Sequence, residues 1–177
     1  MLILNKALGN PSSIDTMSDT STSLSYHDHQ SFPVEVYNEQ NFIRINEDKI
    51  KFICGKIISD AGFRSGRLGI VLGDNAITHA LNIEYLEHDY ATDVISFMIE
   101  CHGSHLEAEL VVSSEVAKER CDEFGWDDES ELMLYVIHGT LHQVGYDDKT
   151  KAEALRMHQK EAMYLRLLGI LNPKRED

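Results

Sequence analysis

The chain has 177 residues and a mass of 20.1 kDa, with 42% hydrophobic and 26% charged residues; this suits one domain whose core buries about two-thirds of the unfolded surface without disulfide staples. No apolar run approaches the roughly 20 residues of a membrane-spanning helix, and polar Asn5 and Lys6 interrupt Met1–Leu4 too early for a signal-peptide core. A net charge of −14 opposes unselective binding to nucleic acid, and three cysteines without a CxxC pair (Cys54, Cys101, Cys121) read as reduced thiols in a cytoplasmic protein.

Residues 1–31 form the first segment. From residue 9 they are rich in Ser, Thr, Asp and Asn and poor in large apolar side chains, which predicts a disordered N-terminal tail. The domain is expected over 32–171. Phe32, Val34 and Val36 alternate with Pro33, Glu35 and Tyr37, the period of a strand. Ile50, Ile53, Cys54, Ile57 and Ile58 then fall on one helical face, with Glu47 and Asp48 at its start and Gly62 as its stop. A buried strand follows at 67–73, and Asp74 caps a shorter helix through Tyr85. Segments 92–99 and 107–113 read as two neighbouring strands around Gly103, with Cys101-His102-Gly103-Ser104-His105 as a polar loop between them.

The last third is helical. One helix opens at Ser114 and ends at Gly125, the second spans about 129–144 before Gly145, and the third starts at the capping box Thr150-Lys151-Ala152-Glu153 and ends near Gly169. Residues 172–177 form a polar C-terminal tail. The order βαβαββααα predicts an α+β domain with one mixed sheet of about four strands packed by helices.

Charge is unevenly spread. Segment 84–131 carries fifteen acids and two bases, a balance of −13 that reads as a solvated acidic face. Arg64 and Arg67 lie outside it and are the candidates for a local basic patch.

The stretch His138-Gly139-Thr140-Leu141-His142-Gln143-Val144-Gly145-Tyr146-Asp147-Asp148 carries the candidate chemistry. Histidines four apart on a helix share a face, and both rings can reach one ion at about 2.0–2.1 Å. By chance alone a chain with nine histidines holds about 0.4 such pairs, so the spacing gains weight only from the glycine and the acids after it. Gly145 supplies a left-handed exit, after which Asp147 or Asp148 can return a carboxylate as third ligand. Gly139 occupies the position of the catalytic Glu in an HExxH zinc protease, which counts against peptide hydrolysis.

These residues resemble the YbeY endoribonucleases, whose signature HGxLHLxGYDH appears here as HGTLHQVGYDD. A second block resembling LNxxYRxKDxPTDVLSFP runs from Leu81-Asn82 through Tyr85, Asp89 and Thr92-Asp93-Val94-Ile95-Ser96-Phe97. A third, GDIVIS-like, is Ala108-Glu109-Leu110-Val111-Val112-Ser113. The resemblance spans about residues 34–168. It implies a metal-dependent, single-strand-specific endoribonuclease acting in ribosomal RNA (16S rRNA 3′ end) maturation and ribosome quality control. A metal-activated water would attack the phosphodiester.

The implied ligands are His138, His142 and Asp148 around one divalent ion, with zinc expected first. Because Asp148 replaces the third family histidine, iron, manganese or nickel also suit the site. Asp147 is expected to orient the turn or a ligand histidine from behind. The implied partners are single-stranded and ribosomal RNA and the small ribosomal subunit, with no membrane and no small-molecule cofactor.

Val71 and Leu86 stand where the family carries arginines, so Arg64, Arg67 or Lys149 would have to grip phosphate. Ala91 and Met98 replace two family prolines, and Gln143 replaces a leucine. Glu109 is a weak candidate general base that either faces the metal cleft or faces solvent. Asp93 is expected to make local turn hydrogen bonds. His27 and His29 belong to the tail, His158 to the surface, and Phe124 and Trp126 to the core. Two alternatives from other classes are a non-catalytic ribosome-assembly factor with a structural metal and a two-His-one-carboxylate iron enzyme.

Overall fold

The computed structural model describes residues 32–86, 89–90 and 92–171, with the side chains of Leu86 and Phe124 outside the description. The two expected tails, His27, His29 and Ala91 lie outside the described residues. Within them, four strands and five helices follow one another as β1 (Val34–Asn38), α1 (Glu47–Asp60), β2 (Ser65–Gly73), α2 (Asn75–Leu86), β3 (Val94–His102), β4 (His105–Ser113), α3 (Ser114–Phe124), α4 (Asp128–Gln143) and α5 (Lys151–Leu167). This is the expected α+β order.

Local chemistry sets most of the boundaries. Asn46 accepts hydrogen bonds from the amides of Asp48 and Lys49 to start α1, Ser113 from Val116 to start α3, and Asp127 from Ser130 to start α4. Thr150 and Glu153 form the reciprocal capping box of α5. Asp74 accepts from the amide of Ile77 at 3.0 Å in the first turn of α2.

The sheet order is β1-β2-β4-β3, with β1, β2 and β4 parallel and β3 antiparallel on the edge beside β4. Its two faces are served by alternate residues. Leu68, Ile70, Leu72, Leu106, Ala108, Leu110 and Val112 join the main core under α1 and α4, whereas Val71, Ile95 and Val111 form a smaller cluster with Leu81 of α2. Each fully buried Ile or Leu of this kind contributes about 1.5–3 kcal/mol of transfer free energy.

Two expectations need correction between β3 and β4. The stretch Cys101–His105 is no extended loop, because Cys101 and His102 finish β3, His105 opens β4, and only Gly103 and Ser104 turn the chain. β3 begins at Val94 rather than at residue 92, since the Asp93 carboxylate accepts from the amide of Val94 at 2.8 Å and from the Thr92 hydroxyl at 3.0 Å.

The helix that matters most is α4. It packs on β3, β4, α1, α3 and α5, and residues 130–137 are buried without interruption. A helix covered on nearly every side has no need of a 3.6-residue pattern, which explains the run Leu132-Met133-Leu134-Tyr135-Val136-Ile137. It lies close against the sheet at Gly139, where a Cβ would stand 2.8 Å from Val94 Cγ2 and 3.4 Å from both Leu110 methyls. Only a residue without a side chain lets α4 sit this low.

Candidate metal centre

His138 and His142 project from the last turns of α4, and their Nε2 atoms face each other 3.0 Å apart with the rings at 87°. The chain then leaves the helix through Gly145 at φ +93°; the Gly145 amide donates to the carbonyl of His142 and the Tyr146 amide to that of Leu141. This Schellman closure turns the backbone over the end of the helix. It brings Asp148 Oδ2 to 3.8 Å from His138 Nε2, and one donor atom from each of His138, His142 and Asp148 lies within 4.8 Å of the others. Among the described residues this is the one grouping of three such side chains with that geometry.

The outer nitrogen of each ring is already engaged. His142 Nδ1–H donates to the carbonyl of Tyr146 at 3.0 Å, and His138 Nδ1 lies 2.6 Å from Oε1 of Glu161, an α5 residue that is 1% exposed. A carbonyl and a carboxylate both demand a proton on Nδ1, so both Nε2 lone pairs are turned toward the space beside Asp148. Donors bound tetrahedrally at about 2.0–2.1 Å are spaced about 3.3 Å apart, close to the separations found here. Two imidazoles and a carboxylate in this arrangement fit a divalent ion without rearrangement of the helix.

Electrostatics agree with the hydrogen bonds. Burial acts to lower the pKa of His138, but the hydrogen bond and charge of Glu161, with Asp148 and Asp93 beyond, outweigh it and hold the imidazole above its ordinary value.

The other expected site residues fall in different places. Asp147 accepts from the amide of Asp148 at 2.9 Å and from Lys149 Nζ at 2.7 Å, and these contacts hold its carboxyl below the usual range. It therefore braces the turn, while the partners behind the histidines are Glu161 and the Tyr146 carbonyl. Glu109 is 3% exposed and stands opposite Phe97 in the β3–β4 register, on the sheet face of Val71 and Val111. It faces α2, so it points neither into the α4 cleft nor to solvent.

Arg64 donates to the carbonyls of Ser59 and Phe63 at the end of α1, beside the hairpin turn, about 25 Å along the strands from Val94. Arg67 pairs with Glu107 at 3.7 Å on the sheet face opposite α4. Neither arginine is brought to the site. Val71 is fully buried, which leaves no room for a charged replacement there. Gln143 is buried, Trp126 packs against the core, and His158 is half-buried.

Sequence reasoning missed Glu161. Its signal was present in the face Met157, Glu161, Tyr164 and Leu165, where an acid interrupts an otherwise apolar stripe at helical spacing.

Comparison with known proteins places this chain in a family. The family model described as Endoribonuclease YbeY matches residues 34–169. Proteins named Endoribonuclease YbeY are similar to the chain in Rhodopirellula baltica (42% identity over 118 residues, 66% of this chain and 61% of that protein) and in Salinibacter ruber (33% over 141 residues, 75% and 90%). The solution structure of TM1509 from Thermotoga maritima shares the fold at a TM-score of 0.54 and 21% identity, covering 81% of this chain and 95% of that one. The family match runs from β1 to the end of α5 and takes in both histidines, the glycine exit and Asp148: the chain belongs to the Endoribonuclease YbeY family.

Proposed function

We propose that the protein is a metal-dependent, single-strand-specific endoribonuclease acting in maturation of the 16S rRNA 3′ end and in ribosome quality control, with the small ribosomal subunit as partner and the cytoplasm as its place of work. Family membership supports cleavage of RNA. The observation that carries metal dependence is the pair of Nε2 atoms 3.0 Å apart, each backed by an oxygen at Nδ1, with Asp148 beside them. His138, His142 and Asp148 would hold the ion, zinc first and iron, manganese or nickel next, and no small-molecule cofactor is needed.

When bound, a divalent ion supplies Lewis acidity toward water and toward the charge that develops on phosphoryl oxygens. The chain's own part is placement. Gly139 seats α4 against Val94, the Schellman turn returns Asp148, and the Tyr146 carbonyl keeps the proton of His142 on Nδ1. Asp148 adds a negative charge that a third histidine would not, which tempers the acidity of the centre. The contact at Gly139 also weighs against a peptidase, since a glutamate there would have to displace Val94 and Leu110.

A structural role for the ion has one observation in its favour: Asp148 lies two residues before Thr150, the cap of α5, so an ion would tie α4 to α5. One experiment separates the readings. The full-length protein is given single-stranded RNA with and without chelator while its unfolding is followed. Chelator-sensitive cleavage by a protein that stays folded supports the nuclease. Cleavage that survives loss of the metal refutes metal dependence, and melting on chelation with no sensitive cleavage supports the structural role.

A further inference from the structure

Glu161 stands behind the ligands yet belongs to a different element. It comes from α5, lies 23 residues beyond His138 in the chain, and is 1% exposed on a face that otherwise buries Met157, Tyr164 and Leu165. Burying a carboxylate costs several kcal/mol unless it is well paired. The contact to His138 Nδ1, at 2.6 Å, has the length of a strong, charge-assisted hydrogen bond. His142, by contrast, leans on a neutral backbone carbonyl four residues away. The two rings thus differ in what stands behind them: one is oriented by its own helix end, the other by a charge delivered from the next helix.

We infer that Glu161 is a positioning residue for the metal, its carboxylate locking His138 with Nε2 toward the ion and strengthening that nitrogen as a donor. This rests on the reading that His138, His142 and Asp148 hold a divalent ion. It also makes the affinity of the centre depend on the docking of α5, a dependence that the ligand set alone does not contain. An acid that only filled space would behave differently. A glutamine has the same volume and its amide oxygen still accepts from Nδ1–H, so Glu161→Gln removes the charge while keeping the contact to His138.

The test uses the full chain with Co2+ as probe, reading its visible absorption and its affinity by competition with a chromophoric chelator. Glu161→Gln is expected to lower Co2+ affinity about 10- to 100-fold with little change in the melting of the metal-free protein. Glu161→Asp, which keeps the charge but shortens the reach, is expected to give a smaller loss. Tyr164→Phe deletes the bond from the Tyr164 hydroxyl to Asp60 at 3.2 Å on the same helix and is expected to leave Co2+ affinity unchanged. Wild-type affinity and spectrum in both Glu161 variants, or an equal loss in Tyr164→Phe, overturns the positioning role alone, provided His142→Ala abolishes binding. A wild-type protein that binds no Co2+, or binding untouched by His142→Ala and Asp148→Ala, overturns the metal reading and this inference with it.

Discussion

Among the described residues, two histidine pairs stand beside carboxylates, and only one has the geometry to hold a metal ion. His138 and His142 meet edge to face with Nε2 atoms 3.0 Å apart, backed by Glu161 and the Tyr146 carbonyl. His102 and His105 flank the hairpin turn with rings stacked at 5.0 Å between centroids. Glu100 lies 3.2 Å from His102 and 3.9 Å from His105, and Glu107 lies 3.8 Å from His105. The side chain of His102 is 67% exposed, against 24% for His138. Stacked rings do not aim two nitrogens at one point, and solvent-exposed carboxylates do not hold them there. Nearby donors are common on a surface; a layer behind them that removes their freedom is what distinguishes the helical pair.

The sharpest way to break this comparison is to truncate each pair. His142→Ala is expected to abolish metal binding and RNA cleavage together, whereas His102→Ala and His105→Ala leave both at wild-type levels, as metal analysis and an oligonucleotide assay would read. Next in size is thiol chemistry, because each pair has a cysteine nearby. Cys101 is exposed beside His102, and Cys54 is buried against Thr140 of α4 with its thiol pushed up to about 12 by burial. Mass spectrometry after alkylation of the native protein should find Cys101 modified first and Cys54 only after unfolding.

The same shift has a sign in stability. The folded value lies above the ordinary 9.0, so the contribution of the neutral thiol is complete below about pH 9 and is lost as pH rises toward about 12. Denaturation midpoints should fall across that window, and Cys54→Ala should remove part of the fall.

Glycines sharpen the comparison further, since Gly139 lies within one pair and Gly103 within the other. Gly139→Ala sets overpacking of about 1–3 kcal/mol against about 1 kcal/mol of helix propensity. A net loss of about 1 kcal/mol with a weakened metal site is expected. Gly103→Ala has open space and pays only for φ +56°, about 1 kcal/mol, so metal affinity should hold. The smallest effect concerns salt. Lys149, Arg156 and Lys160 are the cations around the Gly145–Asp147 turn. At about −0.7 per phosphate neutralised, the log–log slope of RNA affinity should be about −2 or shallower.

Much of this architecture was legible because it is written in local chemistry. The caps at Asn46, Asp74, Ser113 and Thr150 and the stop at Gly145 act within a few residues of themselves, so their spacing alone places the helices. The alternation of the sheet strands and the order of nine elements follow in the same way. Where the reading failed, the deciding partner was distant or the pattern had two meanings. Glu109 alternates correctly for a strand, but which face meets α4 depends on the whole sheet. Cys101–His105 has the composition of a loop, yet the pairing of His102 with His105 carries the strands to within two residues of each other.

By itself, then, the sequence determined the helices, the strands, the glycine exit and the presence of two histidines and a following acid on one helix end, because each of these depends on neighbours in the chain. Only the tertiary structure decided that Glu161 comes across from α5 to fix His138, that Val94 and Leu110 leave space for nothing but glycine at 139, and that Arg64 and Arg67 lie away from the centre. Those outcomes depend on how helices pack on a sheet, and the direction of a side chain across that packing is not a property of its own segment.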